Sequence, residues 1–124
     1  MLKKNIVILG SSGSIGENTL DVIRQFRDRF RVVGLSVHSN IERLESQVEE
    51  FRPEYVAIGD EKKAFDFRGR HRTTKVLVSR DGICRLASLK EADLVVVAIV
   101  GYEAIFPLLS AIRSKKTIAL ANKE

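Results

Sequence analysis

A doubly wound α/β fold, with a parallel sheet of about six strands and helices on both faces, is predicted by three features of this 124-residue sequence. Short apolar runs alternate with stretches of helical periodicity along the whole chain, the signature of strand–helix–strand units. One run, Leu94 to Val100, is apolar at every position, as a central strand covered on both faces must be. The first run is followed at once by a Gly/Ser turn that opens into a helix, the strand–turn–helix context of a dinucleotide fingerprint, which makes the predicted fold Rossmann-like.

The elements follow in order. Asn5-Ile6-Val7-Ile8-Leu9 is the first strand. Beyond the turn, Ile15, Thr19, Val22, Ile23 and Phe26 recur at helical spacing and predict one stripe turned to the sheet. Arg31 to Val37 reads as the second strand, and Ile41, Leu44, Val48 and Phe51 as a second amphipathic helix ended by Pro53. Tyr55-Val56-Ala57-Ile58 is the third strand. The charged segment Asp60 to Arg72 predicts a short helix, Lys75 to Val78 a fourth strand, and Asp81 to Leu89 another short helix with Asp81 as its cap. After the fifth strand, Leu94 to Val100, Ile105, Leu108, Leu109 and Ile112 mark a last helix. Its regular part begins near Pro107, because proline is tolerated only in a first turn. Thr117 to Ala121 closes the pattern as the sixth strand.

Composition narrows the function. A hydrophobic share of 44% supports one core of ordinary size, so a single domain is expected. The net charge of +5 suits an anionic partner such as a phosphorylated cofactor or substrate. The densest basic stretch, Arg68-Gly69-Arg70-His71-Arg72, has no interleaved aromatics for base stacking, which argues against nucleic acid. Cys84 is the only cysteine and reads as a small buried hydrophobe. With His38 and His71 the only histidines, no metal-ligand cluster is visible, and a reducing cytoplasm fits. No signal peptide is seen, and the longest apolar run falls far short of the roughly 20 residues of a membrane span.

The turn Gly10-Ser11-Ser12-Gly13-Ser14-Ile15-Gly16 carries the chemistry. Gly10 suits the tight bend out of the strand, Gly13 lets a pyrophosphate reach the backbone, and Gly16 lets the first helical turn pack close. Ser12 and Ser14 add hydroxyl donors, and the open N–H groups of the helix start favour phosphate. The spacing is Gly-x-x-Gly-x-x-Gly. A P-loop is excluded, because Glu17 and Asn18 stand where that motif places lysine and Ser/Thr. At the end of the second strand, where an NAD-specific fold offers a carboxylate to the ribose, the residues are His38-Ser39-Asn40. No acid appears until Glu42, so NADP is favoured over NAD, with Ser39, Asn40 and Arg43 as donors to a 2′-phosphate. Asn40 also suits the cap of the second helix. The Tyr-x-x-x-Lys pair of short-chain dehydrogenases is absent.

The glycine turn with Thr19-Leu20-Asp21-Val22 after it, then Ala98-Ile99-Val100-Gly101 and the terminal Leu120-Ala121-Asn122-Lys123-Glu124, closely resembles the 1-deoxy-D-xylulose 5-phosphate reductoisomerase family. The likeness covers the whole chain. It implies an NADPH-dependent oxidoreductase that rearranges a sugar phosphate and reduces it to 2-C-methyl-D-erythritol 4-phosphate in non-mevalonate isoprenoid biosynthesis, assisted by magnesium or manganese. Residues 1–124 would be the NADPH-binding domain. The catalytic and C-terminal domains, and with them the metal ligands, would lie outside this chain, which alone would not turn over. By position, Ser12, Gly13, Ser14 and Ile15 resemble contacts to the NADPH pyrophosphate, and Asn40 an asparagine of the adenosine-phosphate loop. His38 and Ser39 depart from the family's common Gly-Lys or Gly-Ser there. Asn122 and Glu124 would contact NADPH and Lys123 the substrate. The resemblance also implies a cytoplasmic homodimer. The glycine turn alone leaves two other readings open: a dinucleotide sensor without catalysis, and a different NADP-dependent dehydrogenase.

Overall fold

A computed structural model describes residues 2–121. Six strands, β1 (Lys4–Leu9), β2 (Phe30–Val37), β3 (Tyr55–Ile58), β4 (Lys75–Val78), β5 (Leu94–Val97) and β6 (Thr117–Leu120), form one sheet in the order β4-β3-β2-β1-β5-β6. Every neighbouring pair is parallel. The helices between them are α1 (Ser14–Gln25), α2 (Ile41–Phe51), α3 (Glu61–Arg70), α4 (Ser79–Ala87) and α5 (Ile105–Arg113), the last preceded by a 3₁₀ turn at Tyr102–Ala104.

The sheet is covered on both sides because its strands are apolar on both sides. On one face Ile6, Ile8, Val32, Leu35, Val37, Val56 and Ile58 pack against Leu20 and Ile23 of α1, Leu44 and Val48 of α2, and Phe67 of α3. On the other, Val7, Leu9, Val33, Val95 and Val97 pack against Leu86 and Ala87 of α4 and against Ala104 and Ala111 at α5. The doubly wound parallel sheet expected from the sequence is therefore present, with α1, α2 and α3 on one face and α4 and α5 on the other.

Five expectations need correction. The buried stripe of α1 is Gly16, Leu20 and Ile23, whereas Ile15, Val22 and Phe26 are exposed. The first turn of the helix approaches its surroundings through a glycine, so the contacting stripe runs from Gly16 through Leu20 to Ile23 and only Ile23 of the expected large apolar residues lies on it. In α5 the buried positions are Pro107 and Ala111, continuing Ala104 of the 3₁₀ turn, while Ile105, Leu109 and Ile112 are exposed. There, too, close approach to a neighbouring helix selects small residues. Helix α4 begins directly after β4, two residues before Asp81, through Ser79 in the left-handed region at φ 65°. Asp81 lies in the first turn and does not cap it. Finally, β5 ends at Val97, and Val100 is exposed. Cys84 is only partly buried.

Candidate functional site

Strand order reverses between β1 and β5, and the glycine turn leaves the sheet at that reversal, where ligands of open α/β sheets bind. Gly10 sits at φ 83°, and a Cβ there would come within 2.8 Å of the Ala98 carbonyl oxygen, so its lack of a side chain is required twice. Gly16 is more constrained still. A Cβ on it would lie 2.3 Å from the Gly10 carbonyl oxygen and 2.6 Å from Ser11 Cα, so the first helical turn is pressed against the backbone of the glycine turn itself.

Gly13 behaves differently. Its φ of −80° and ψ of 174° are open to any residue, and an added Cβ would meet only the Gly10 carbonyl oxygen at 3.8 Å, an ordinary contact. Neither backbone nor packing asks for glycine here. The space above it faces the cleft, and the side-chain-free backbone fits close approach of an anion to the start of α1, which has no side-chain cap.

The turn is held from behind by a buried polar network. The Gly10 and Ser11 amides donate to the Ser36 carbonyl oxygen at 3.1 and 2.8 Å, with Ser36 Oγ also 3.1 Å from the Gly10 amide. The Ser11 hydroxyl donates to Gln47 Oε1 at 2.7 Å, and Gln47 Nε2 returns a hydrogen bond to the Ser11 carbonyl oxygen at 2.9 Å. Ser11, Ser36 and Gln47 are all buried, and pairing satisfies them where water cannot. Sequence reasoning missed Gln47, although an amide on the inward face of α2 beside Leu44 and Val48 was the available signal.

A cleft of about 520 Å³ opens over this turn, within the range of small-molecule sites. Its lining includes Gly10, Ser12 and Gly13, His38 and Gly59 at the ends of β2 and β3, Ala98 to Val100 beyond β5, and Arg80 with Glu103 on the far side. Gly59 makes room for the imidazole, since a Cβ there would lie 2.6 Å from His38 Nδ1. Arg80, Glu103 and Gly59 were not foreseen, because the fold joins them across long stretches of sequence.

Of the residues expected to bind cofactor, Gly10, Ser12 and Gly13 line the cleft. Ser14 and Ile15 follow in the exposed first turn of α1. Ser39 and Asn40 come just after His38 and lie outside the lining. Asn40 Oδ1 accepts the Arg43 amide at 3.2 Å and so caps α2. Arg43, expected as a donor to a 2′-phosphate, is instead bound through Nε and Nη2 to the Glu17 carboxylate, joining α2 to α1. That hydrogen-bonded guanidinium holds the Glu17 carboxyl below its usual range. Asn122, Lys123 and Glu124 lie outside the described residues. Among the described residues no group of three His, Cys, Asp or Glu side chains is placed to hold a metal ion, and no helix is long and apolar enough to cross a membrane. Within the basic stretch, Arg70 and His71 face Glu45 at 3.3 and 2.9 Å, and Arg68 donates to the Val76 carbonyl oxygen.

A parallel sheet with this strand order and a glycine turn at its reversal point defines a Rossmann-type α/β domain. Sequence comparison is more specific: the family model of 1-deoxy-D-xylulose 5-phosphate reductoisomerase matches residues 6–124, and the chain belongs to that family. It is 48% identical over 121 residues to a 1-deoxy-D-xylulose 5-phosphate reductoisomerase of Thermodesulfovibrio yellowstonii, a match covering 98% of this chain and 32% of the relative. A reductoisomerase of Agathobacter rectalis is also 48% identical, over 123 residues and 32% of its length. The chain thus spans about a third of the curated relatives it matches. Among solved structures, the Zymomonas mobilis reductoisomerase in complex with NADPH superposes with a TM-score of 0.91 at 30% identity, covering 98% of this chain and 32% of that one. A reductoisomerase with NADPH, fosmidomycin and magnesium gives 0.93 at 33% identity, covering 98% and 30%.

Proposed function

We propose that this chain is the NADPH-binding part of an enzyme that converts 1-deoxy-D-xylulose 5-phosphate to 2-C-methyl-D-erythritol 4-phosphate in non-mevalonate isoprenoid biosynthesis. The observation that carries the reading is Gly13, a glycine that neither backbone conformation nor packing requires, over an uncapped helix start. Family membership and relatives solved with NADPH and with magnesium support it. Gly10, Ser12, Gly13, Ser14 and Ile15 receive the diphosphate, and Ser39 and Asn40 the adenosine phosphate. Asn122 and Glu124 add NADPH contacts. Lys123 meets the sugar-phosphate substrate, where its ammonium neutralises developing alkoxide charge. NADPH supplies the hydride when bound. Magnesium or manganese is held by ligands outside this chain, and the working enzyme is a cytoplasmic homodimer.

Calorimetric titration of the protein with NADPH and, in parallel, NADH at the same ionic strength tests the reading. NADPH is expected to bind at least tenfold more tightly, about 1.4 kcal/mol. Equal affinity would remove the 2′-phosphate role from Ser39 and Asn40, and absence of binding to either would overturn the cofactor assignment.

A further inference from the structure

Arg80 and Glu103 have no part in the phosphate site, yet they form one wall of the same cleft, with Phe106 behind Arg80. Arg80 is aimed by the bend at Ser79, whose left-handed backbone turns the chain straight from β4 into α4. Its Nε donates to Glu103 Oε1 at 2.9 Å and its Nη2 to Glu103 Oε2 at 3.1 Å, a two-point grip that fixes the plane of the guanidinium. The guanidinium carbon stands 3.9 Å from the centroid of the Phe106 ring. Arg80 and Glu103 line the cleft, and Phe106 does not. One face of the guanidinium is therefore backed by an aromatic ring and one edge is taken by a carboxylate, while the side chain, half exposed, borders the cleft.

A flat, delocalised cation held in this way is a surface for stacking a planar ring. The ends of β2 and β3, with His38 and Gly59, border the same cleft, and the loop after β2 is the adenosine side of a Rossmann-type site. We propose that Arg80, clamped by Glu103 and backed by Phe106, is the stacking platform for the adenine ring of the dinucleotide; this rests on the NADPH reading above. Arg80 is thus a binding residue and Glu103 a positioning residue.

The test is equilibrium titration of the wild-type protein, Arg80→Lys and Arg80→Gln with NADPH, with 2′,5′-ADP as the adenosine half, and with reduced nicotinamide mononucleotide as the other half. Lysine keeps the charge and loses the plane. Both variants are expected to bind NADPH and 2′,5′-ADP about tenfold more weakly, the scale of one base stack, with the mononucleotide unchanged. Glu103→Gln, which keeps Arg80 but loosens it, is expected to lose less. Wild-type affinity for 2′,5′-ADP in Arg80→Lys with a loss only in Arg80→Gln would overturn the proposal, since charge and not stacking would then be at work. Unchanged binding in both variants would also overturn it. A wild-type protein that binds no NADPH would overturn the cofactor reading itself, and this proposal with it.

Discussion

Gly16→Ala is the perturbation whose size the structure sets most closely. The new Cβ would sit 2.3 Å from the Gly10 carbonyl oxygen, with Ser11 Cα at 2.6 Å and the Ser11 carbonyl carbon at 2.8 Å. All three are backbone atoms, and none can swing aside as a side-chain tip would. Relief therefore requires α1 and the glycine turn to separate by about 1 Å, at the upper end of the roughly 1–3 kcal/mol typical of overpacking. Alanine returns about 1 kcal/mol through its better helix propensity. The net expectation is a loss of about 2 kcal/mol, or roughly 6–10 °C in Tm for a chain of this size. NADPH affinity should fall as well, because the turn is displaced from the helix start that completes it. Thermal unfolding followed by circular dichroism reads the stability, with Gly69→Ala as the control. A Cβ at Gly69 on α3 meets nothing within 4 Å, so that variant should melt at or slightly above wild type. Should Gly16→Ala melt with the wild type, the close contact between α1 and the turn would be refuted, and with it the reason for a third glycine.

Further outcomes follow from the polar groups. Gln47→Leu removes the donor to the buried Ser11 carbonyl oxygen and the acceptor of its hydroxyl; chemical denaturation should show a loss of about 1–3 kcal/mol, and a change below about 0.5 kcal/mol would contradict the network. The Glu17, Glu50 and Glu103 carboxyls are held below their usual range, first by hydrogen bonds from Arg43, Arg24 and Arg80 respectively. A depressed folded-state value contributes stability above the unfolded carboxyl pKa, and that contribution is lost as pH falls through the folded value. Tm should therefore decline on acidification below about pH 4.5, and Glu17→Gln should flatten that decline. An identical acid profile in the variant would deny the Arg43–Glu17 link between α1 and α2 any role in stability.

The sheet and the glycine turn were legible in the sequence because both depend on local chemistry. Short apolar runs marked the strands, and a bend into a helix needs glycine where φ is positive, as at Gly10. The helix faces were less legible. Hydropathy ranks Ile15, Val22 and Phe26 above Gly16, yet close contact at the turn selects the residue without a side chain. The same conflict hid the Pro107 and Ala111 face of α5 behind Ile105, Leu109 and Ile112. Asp81 looked like a cap because the bend at Ser79 uses a backbone conformation that serine seldom adopts. Around the cleft, the turn residues Gly10, Ser12 and Gly13 were legible, while Gln47 and the Arg80–Glu103 pair were not. Their partners are 36 and 23 positions away, distances that only the crossovers of the sheet close.

The most direct measurement of the central claim is the affinity of Gly13→Ala for NADPH, taken with its thermal stability. The protein has room for this Cβ, and glycine is only a modestly better helix N-cap than alanine, so unfolding should change by no more than about 1 kcal/mol. Binding should fall at least tenfold, or about 1.4 kcal/mol, because the methyl group enters the space proposed for the diphosphate. A stable variant that binds NADPH like the wild type would contradict the assignment of this turn as the dinucleotide phosphate site.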